Sequence, residues 1–267
     1  MKLNGRCRWA LDDMETALSW TEGRNSLGIR GVLDVLGESA RTEAEASVNV
    51  DEIRTLMAAI HSNRLGAAVA LKPSALGSRF DLHGANMRAV ALAEEAASLQ
   101  VRIEIDMELA SEVASTLALA ELLAPIAETT VAVQAYLRRT KADVESLVSK
   151  GIRIRLVKGA YAGDLEEYGE IRHSTMRICR DLIERDVDFC IGTHDPEILS
   201  FLVEGEPIPH LELGFLKGLA GETKLSLAEK GWSVSEYLPF GKKRNEYERR
   251  RQLYLDKMER LHIIPLP

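Results

Sequence analysis

The sequence predicts an α/β fold: one (β/α)8 barrel of the TIM type, with residues 1–267 as a single domain. Three observations carry that expectation. Short apolar, β-branched runs alternate with amphipathic helical stretches. Eight such strand–helix units fit into 267 residues, close to the roughly 250 residues typical of such barrels. No Gly-x-Gly-x-x-Gly follows any of the strands, which weakens the alternative, a doubly wound open sheet.

Strands are expected near 28–34, 67–72, 103–107, 130–136, 152–158, 187–193, 211–216 and 234–239. Helices are expected between them at 43–62, 82–99, 110–126, 141–150, 164–185, 196–203 and 219–230, with another at 243–260, the C-terminal helix, over the barrel mouth. Trp9, Leu11, Met14, Leu18 and Trp20 suggest one extra helix at the N-terminus. Local signals set some boundaries. Asp195-Pro196 reads as an N-cap followed by proline at the first helical position. Gly151 and Gly231 stand where left-handed C-caps are wanted.

Composition excludes several functions. Hydrophobic residues make up 46% of the chain and charged residues 28%, ordinary for a globular protein. The net charge of −7 argues against a general nucleic-acid binder. Apolar runs stop well short of the roughly 18 residues a membrane span needs, and the first residues have no apolar signal core. A cytoplasmic protein is expected, at most peripheral to the inner membrane. Cys7, Cys179 and Cys190 have no metal-binding spacing and read as free thiols. The histidines form no HxH or HxxxH pair, so no metal site is expected.

In such a barrel the chemistry lies at the carboxyl ends of the strands. Those ends carry Asp34, Lys72, Asp106, Gln134 and Tyr136, the stretch Arg155-Leu-Val-Lys-Gly-Ala-Tyr161, Thr193-His194-Asp195, Leu216-Lys217-Gly218 and Tyr237. Burying Arg153, Arg155 and Lys158 unpaired would be expensive. Either they face water or something anionic sits beside them. Thr193-His194-Asp195 at a helix start could offer backbone donors and a hydroxyl to a phosphate. On the last helix, Tyr247 shares a face with Arg250 and Arg251. Two guanidiniums beside a phenol suit a carboxylate; a solvated basic face near Lys242, Lys243 and Arg244 is the other reading.

These residues resemble a family. Arg-Leu-Val-Lys-Gly-Ala-Tyr at 155–161 is similar to the signature of the proline dehydrogenases, flavin-dependent (β/α)8 enzymes. Tyr237-Leu-Pro-Phe-Gly241 followed by Tyr247-x-x-Arg250-Arg251 matches that family's last strand and helix. Asp34-Val-Leu-Gly-Glu38, Val-Ala-Leu-Lys72, Ile-Asp106, Val-Gln-Ala-Tyr at 133–136, Thr-His-Asp at 193–195 and Leu216-x-Gly218 follow in the same order. The resemblance spans about 27–251 and is to compact, monofunctional bacterial members.

It implies oxidation of L-proline to Δ1-pyrroline-5-carboxylate, the first step of proline catabolism, with hydride transfer to N5 of non-covalent FAD. It implies a catalytic set of Lys72, Asp106, Arg155, Tyr161, Tyr237 and Tyr247. Lys72, with Asp106 close to it, Arg250 and Arg251 would hold the substrate carboxylate, and Leu216, Tyr237, Tyr247 and Tyr161 would pack on the pyrrolidine ring. Gln134, Arg155, Val157, Lys158, Gly159, Ala160, Arg172, Thr193 and His194 would contact the FAD. A quinone or other electron acceptor reached at the membrane surface, and pyrroline-carboxylate dehydrogenase downstream, are the implied partners.

The chain departs from the family's pattern at Pro73, at Ala162-Gly163, at Lys217, which replaces an aromatic residue or histidine, and at Tyr254, which stands where the family usually has glutamate. Three other readings stay open. One is a Schiff-base aldolase using Lys158 or Lys72. Another is a folate-reducing flavin barrel, and the third is a flavin-binding barrel without proline oxidation.

Overall fold

The computed structural model describes residues 8–37, 39–159, 163–242 and 244–260. Eight parallel strands close into a barrel in sequence order: β1 (Ile29–Val35), β2 (Ala67–Leu71), β3 (Arg102–Ile105), β4 (Thr129–Gln134), β5 (Arg153–Val157), β6 (Phe189–Gly192), β7 (Leu211–Leu216) and β8 (Ser233–Phe240). β8 closes on β1 in a register running from Ile29 opposite Val234 to Val35 opposite Phe240. The open-sheet alternative is thereby ruled out. β2 and β4 are buried along their whole length, as strands covered on both faces must be.

The helices are α1 (Met14–Asn25), α2 (Glu43–Ser62), α3 (Leu82–Leu99), α4 (Val113–Leu123), α5 (Thr140–Ser149), α6 (Tyr168–Glu184), α7 (Pro196–Leu202), α8 (Gly221–Glu229) and α9 (Asn245–Arg260). The starts of α1, α2, α3 and α7 follow side-chain caps. Asp13, Thr42, Asp81 and Asp195 each accept a backbone N–H from the first turn that follows. Gly151 and Gly231 take positive φ after α5 and α8.

Three expectations shift. The helix expected at 164–185 begins only at Tyr168. The N-terminal helix begins only at Met14, because Asp13 caps it there. Trp9 and Leu11 precede it outside the helix, in a bent segment where Leu11 is bridged to Phe240. The expected helix at 110–126 is split, with a short 3-10 turn at Ala110–Glu112 before α4.

The main core lies between the strands and the helix ring, with Leu33, Val69, Ile103, Val131, Ile154, Ile191 and Leu213 pointing into it. α1 is locked to β8 by an ionic group rather than by apolar packing alone. The buried Glu236 carboxylate accepts from Trp20 Nε1 and Arg24 Nε, both at 2.9 Å, and pairs with Lys224 of α8. Inside the barrel, one side is filled by Val32, Ala68 and Ala70, and the other by an ionic cluster around Arg155. Among the described residues no helix is long and apolar enough to cross a membrane.

Candidate active site

A cavity of about 460 Å³ opens at the carboxyl ends of the strands, roofed by α9. It brings together Lys72, Asp106, Arg155, Val157, Lys158, Gly159, Thr193, His194, Leu216, Tyr237, Tyr247, Arg250 and Arg251 from the sequence reading. Gln134 and Arg172 do not line it. Ala160 and Tyr161 fall outside the described residues.

One wall is ionic. Lys72, just past β2, is buried and pairs with Asp34 at the end of β1. Its Nζ lies 3.4 Å from Asp106 Oδ2 and donates to the Tyr237 hydroxyl at 3.4 Å. The Tyr237 hydroxyl in turn donates to Asp106. Burial, with Asp106 and Asp34 nearby, pushes the Tyr237 phenol well above its ordinary pKa, so the ring keeps its proton.

The opposite wall is shallow. β4, β6 and β7 present Ala132, Gly192 and Gly214 to the cavity. The bareness of Gly214 has a cause: a Cβ there would lie 2.0 Å from Arg155 Nη1. Gly159 has φ +121°, and a Cβ on it would strike the Tyr136 ring at 1.7 Å, so only glycine fits.

Arg155 and Arg153 answer to the protein's own acids. Arg155 is buried, pairs with Glu104 at 2.7 Å from β3 and reaches Glu212 at 3.3 Å from β7. Arg153 pairs with Asp188 at 2.9 Å and with Glu212 at 3.3 Å. Burial opposes charge on Glu212, yet Arg155, Arg30 and Arg153 outweigh it and hold the carboxyl down at about 2. Glu104 shifts the other way: burial raises it against the pull of Arg155. The anionic ligand expected from these charges is thus not required for Arg153 and Arg155.

Lys158 also has partners. Its ammonium meets the Tyr168 hydroxyl and lies 3.7 Å from Asp195. Tyr168 donates to Asp195 at 2.6 Å. Arg172 donates to the same Asp195 at 3.0 Å and pairs with Glu197, so it turns to the start of α7 and away from the cavity. The expected phosphate seat at 193–195 is also filled from within. The backbone N–H groups of Glu197 and Ile198 donate to Asp195, and Asp195 N donates to Thr193 Oγ1 at 3.2 Å. His194 accepts from Leu216 N at 3.0 Å. Burial, helped by Lys224, Lys158 and Arg251, pushes it down to about 3, so the imidazole is neutral.

α9 supplies the roof. Tyr247 is buried, with Arg250 and Arg251 at 5.9 and 5.2 Å from its ring centre. Among the described residues Arg251 makes no ion pair, and its buried Nε has no acceptor. A basic face turned wholly to solvent, the second reading of this helix, does not describe it. Tyr254 lies one turn on, with Arg251 at 5.9 Å from its ring. Burial pushes the Tyr254 phenol up to about 12 despite Arg251.

The sequence reading missed Glu104, Met107, Tyr168, Ile171 and Leu253. Period-two alternation from Asp106 would have flagged Glu104 as facing the same interior. Tyr168 follows an irregular loop and gave no such signal.

The model of the family described as "Proline dehydrogenase" matches residues 17–189, more than half of the chain. "Proline dehydrogenase 1" of Bacillus subtilis is 28% identical over 251 residues, covering 90% of this chain and 83% of the relative. A "Proline dehydrogenase" of Deinococcus radiodurans is 26% identical over 258 residues, covering 90% and 82%. Among solved structures, proline utilization A from Bdellovibrio bacteriovorus, inactivated by N-propargylglycine, superposes with a TM-score of 0.82 at 20% identity. That match covers 92% of this chain and 32% of the larger one. Signature residues, barrel and family match agree: this chain belongs to the proline dehydrogenase family.

Proposed function

We propose that the chain oxidises L-proline to Δ1-pyrroline-5-carboxylate with FAD held non-covalently in the barrel mouth. The observation that carries this reading is one cavity with two unlike walls. One is lined by Lys72, Asp106 and Tyr237 under Arg251, which has no ion pair among the described residues, and the other is paved by Ala132, Gly192 and Gly214.

The shallow wall suits a flat ring system. Gln134 does not line the cavity, but its Oε1 is buried without a partner among the described residues, consistent with the cofactor contact that the resemblance implies. Arg155, Val157, Lys158, Gly159, Thr193 and His194 would lie along the cofactor. The bound flavin would supply the hydride acceptor.

The chain's own residues do the rest. Arg250, Arg251 and Lys72 clamp the carboxylate, since charge-assisted and bidentate hydrogen bonds orient as well as bind. Tyr237 and Tyr247 close on the pyrrolidine ring and exclude water. Asp106, already accepting from Tyr237, holds the network that orients Lys72. Orientation of the donor carbon, not a nucleophile, is what this reaction needs. The aldolase reading has less support. Two carboxylates surround the Lys72 ammonium, the opposite of the apolar or cation-rich setting that frees a lysine amine. Electrons would pass to a quinone or another acceptor met at the membrane surface by a cytoplasmic protein. A pyrroline-carboxylate dehydrogenase would consume the product.

The test is the visible spectrum of the pure protein before and after anaerobic proline. A flavin spectrum bleached by proline is expected, with acid releasing the colour into the supernatant. A flavin spectrum indifferent to proline would remove proline oxidation, and colour left in the precipitate would remove the non-covalent link. Borohydride trapping of a keto substrate on Lys72 or Lys158 would favour the aldolase.

A further inference from the structure

We infer that residues 8–12 form a strap that sets the position of α9, with Trp9 as a positioning residue for substrate binding and Lys217 as the strap's anchor. The inference rests on the reading that Arg250 and Arg251 hold the substrate carboxylate.

The strap is tied in at several points. Its backbone extends the sheet beside the end of β8: Leu11 N donates to Pro239 O at 2.8 Å, and Gly241 N donates to Leu11 O at 3.1 Å. Lys217 is 1% exposed. Its ammonium donates to Arg8 O at 3.0 Å and stands 4.7 Å above the Trp20 ring. Arg8 Nε answers with a bond to Gly218 O at 3.2 Å. Gly218 has φ +84°, and a Cβ on it would lie 2.4 Å from Arg8 O, so the loop after β7 is shaped to let the strap pass. Asp12 pairs with Arg244, one residue ahead of α9.

What the strap supports is the functional helix. Trp9 and Ala10 pack with Leu36, Leu219, Tyr247 and Leu255, with Leu216 and Tyr254 at the margin, in a cluster separate from the main core. Tyr247 therefore has one side on Trp9's cluster and another in the cavity. Arg251 follows it one turn later. If Trp9 is lost, α9 has room to roll, and Arg251 moves with it. A buried ammonium at 217 costs free energy that a simple loop would not require. Its use here as a carbonyl donor to the strap accounts for the lysine where the resemblance expects an aromatic residue or histidine.

Because the carboxylate clamp acts in ground and transition states alike, disturbing it raises KM more than it lowers kcat. For Trp9→Ala we expect KM for proline to rise about tenfold, the low end for one weakened charge-assisted bond. At saturating proline, kcat should change less than about threefold. Trp9→Phe should restore most of the affinity, and Lys217→Met should repeat the defect in milder form.

Hydrogen exchange provides a readout independent of turnover. Both Trp9→Ala and Lys217→Met should speed exchange of amides in 245–256 while the strand amides stay protected. Unchanged exchange in α9 would overturn the strap whatever the activity. Faster α9 exchange with an unaltered KM would overturn its role in substrate binding. If Arg251→Ala raises KM and Trp9→Ala does not, the inference fails and the proposed function stands. If the unmodified protein ignores proline, the proposed function fails, and the exchange of α9 alone decides the strap.

Discussion

Arginines line both the lower barrel and its mouth, and their surroundings differ. In the lower barrel, Arg30, Arg153 and Arg155 all reach Glu212, and Arg155 also has Glu104. At the mouth, Arg251 meets aromatic rings and no carboxylate among the described residues, and its Nε is buried without an acceptor. The first group is internally neutralised, and Arg155 alone of these three also lines the cavity. Among the described residues nothing accepts from Arg251 Nε, which leaves it available to a ligand. Inward-facing charge is therefore a poor guide to a site until its partners are known.

The comparison can be broken from the lower end first. Glu212→Ala should cost about 3–5 kcal/mol of stability, because it strands several guanidiniums in a buried setting. Urea unfolding would measure this, and a loss below about 1 kcal/mol would mean the cluster is not a structural unit. Acid should act on the same group. Its carboxyl is depressed to about 2, so its contribution is complete above the unfolded value near 4.5 and is lost as pH falls through about 2.

At the mouth the expectation reverses. Arg251→Ala should leave unfolding within about 0.5 kcal/mol of the unmodified protein. It should cost about 1.5–3 kcal/mol in kcat/KM for proline. Unchanged turnover with lowered stability would move Arg251 into the structural class.

Tyr237 sharpens the picture of the pocket. A phenol that fills the space beside the substrate ring should disfavour hydroxyproline, whose added hydroxyl would be desolvated without a partner at about 1–3 kcal/mol. Roughly tenfold or more discrimination in kcat/KM is expected, narrowed by Tyr237→Ser mainly through weaker proline use. Equal efficiency with both substrates in the unmodified protein would take Tyr237 out of the specificity wall.

The smallest effect belongs to His194. Its folded pKa is about 3 against 6.5, so the unfolded chain binds the extra proton. Stability from this group is full above pH 6.5 and declines as pH falls toward 3, by about 1.4 kcal/mol at pH 5.5. His194→Gln should flatten that part of the profile. An unaltered profile would mean the imidazole is not held neutral.

Local chemistry made most of the fold legible. The eight strands announced themselves as apolar β-branched runs, and Asp195-Pro196 and Gly151 marked helix ends because capping is decided within a few residues. The misplaced start of α1 has the same origin: Trp9 and Leu11 look helical by spacing, but the Asp13 cap and the bond to Pro239 outrank periodicity. What stayed hidden was pairing across the barrel. Arg155 finds Glu104 and Glu212 from strands 51 and 57 residues away in sequence, a distance no window can see. The Lys72–Asp106 approach was legible only through resemblance. The capture of Arg172 by Asp195 and Glu197 was not legible at all.

Closure of β1 on β8 has a consequence for how the chain is made. The strand at 29–35 finds its last neighbour only at 234–240, some 200 residues later. At a synthesis rate of about 5–20 residues per second, β1 leaves the ribosome roughly 10–40 s before its partner. Throughout that interval one edge of the growing sheet stays open, and exposed strand edges recruit foreign strands. The roof helix α9 is translated later still, so the pocket is the last part of the molecule that can take shape. A nascent-chain binding factor, or fast initial docking of α1 and α2 over the early strands, would matter most in that window.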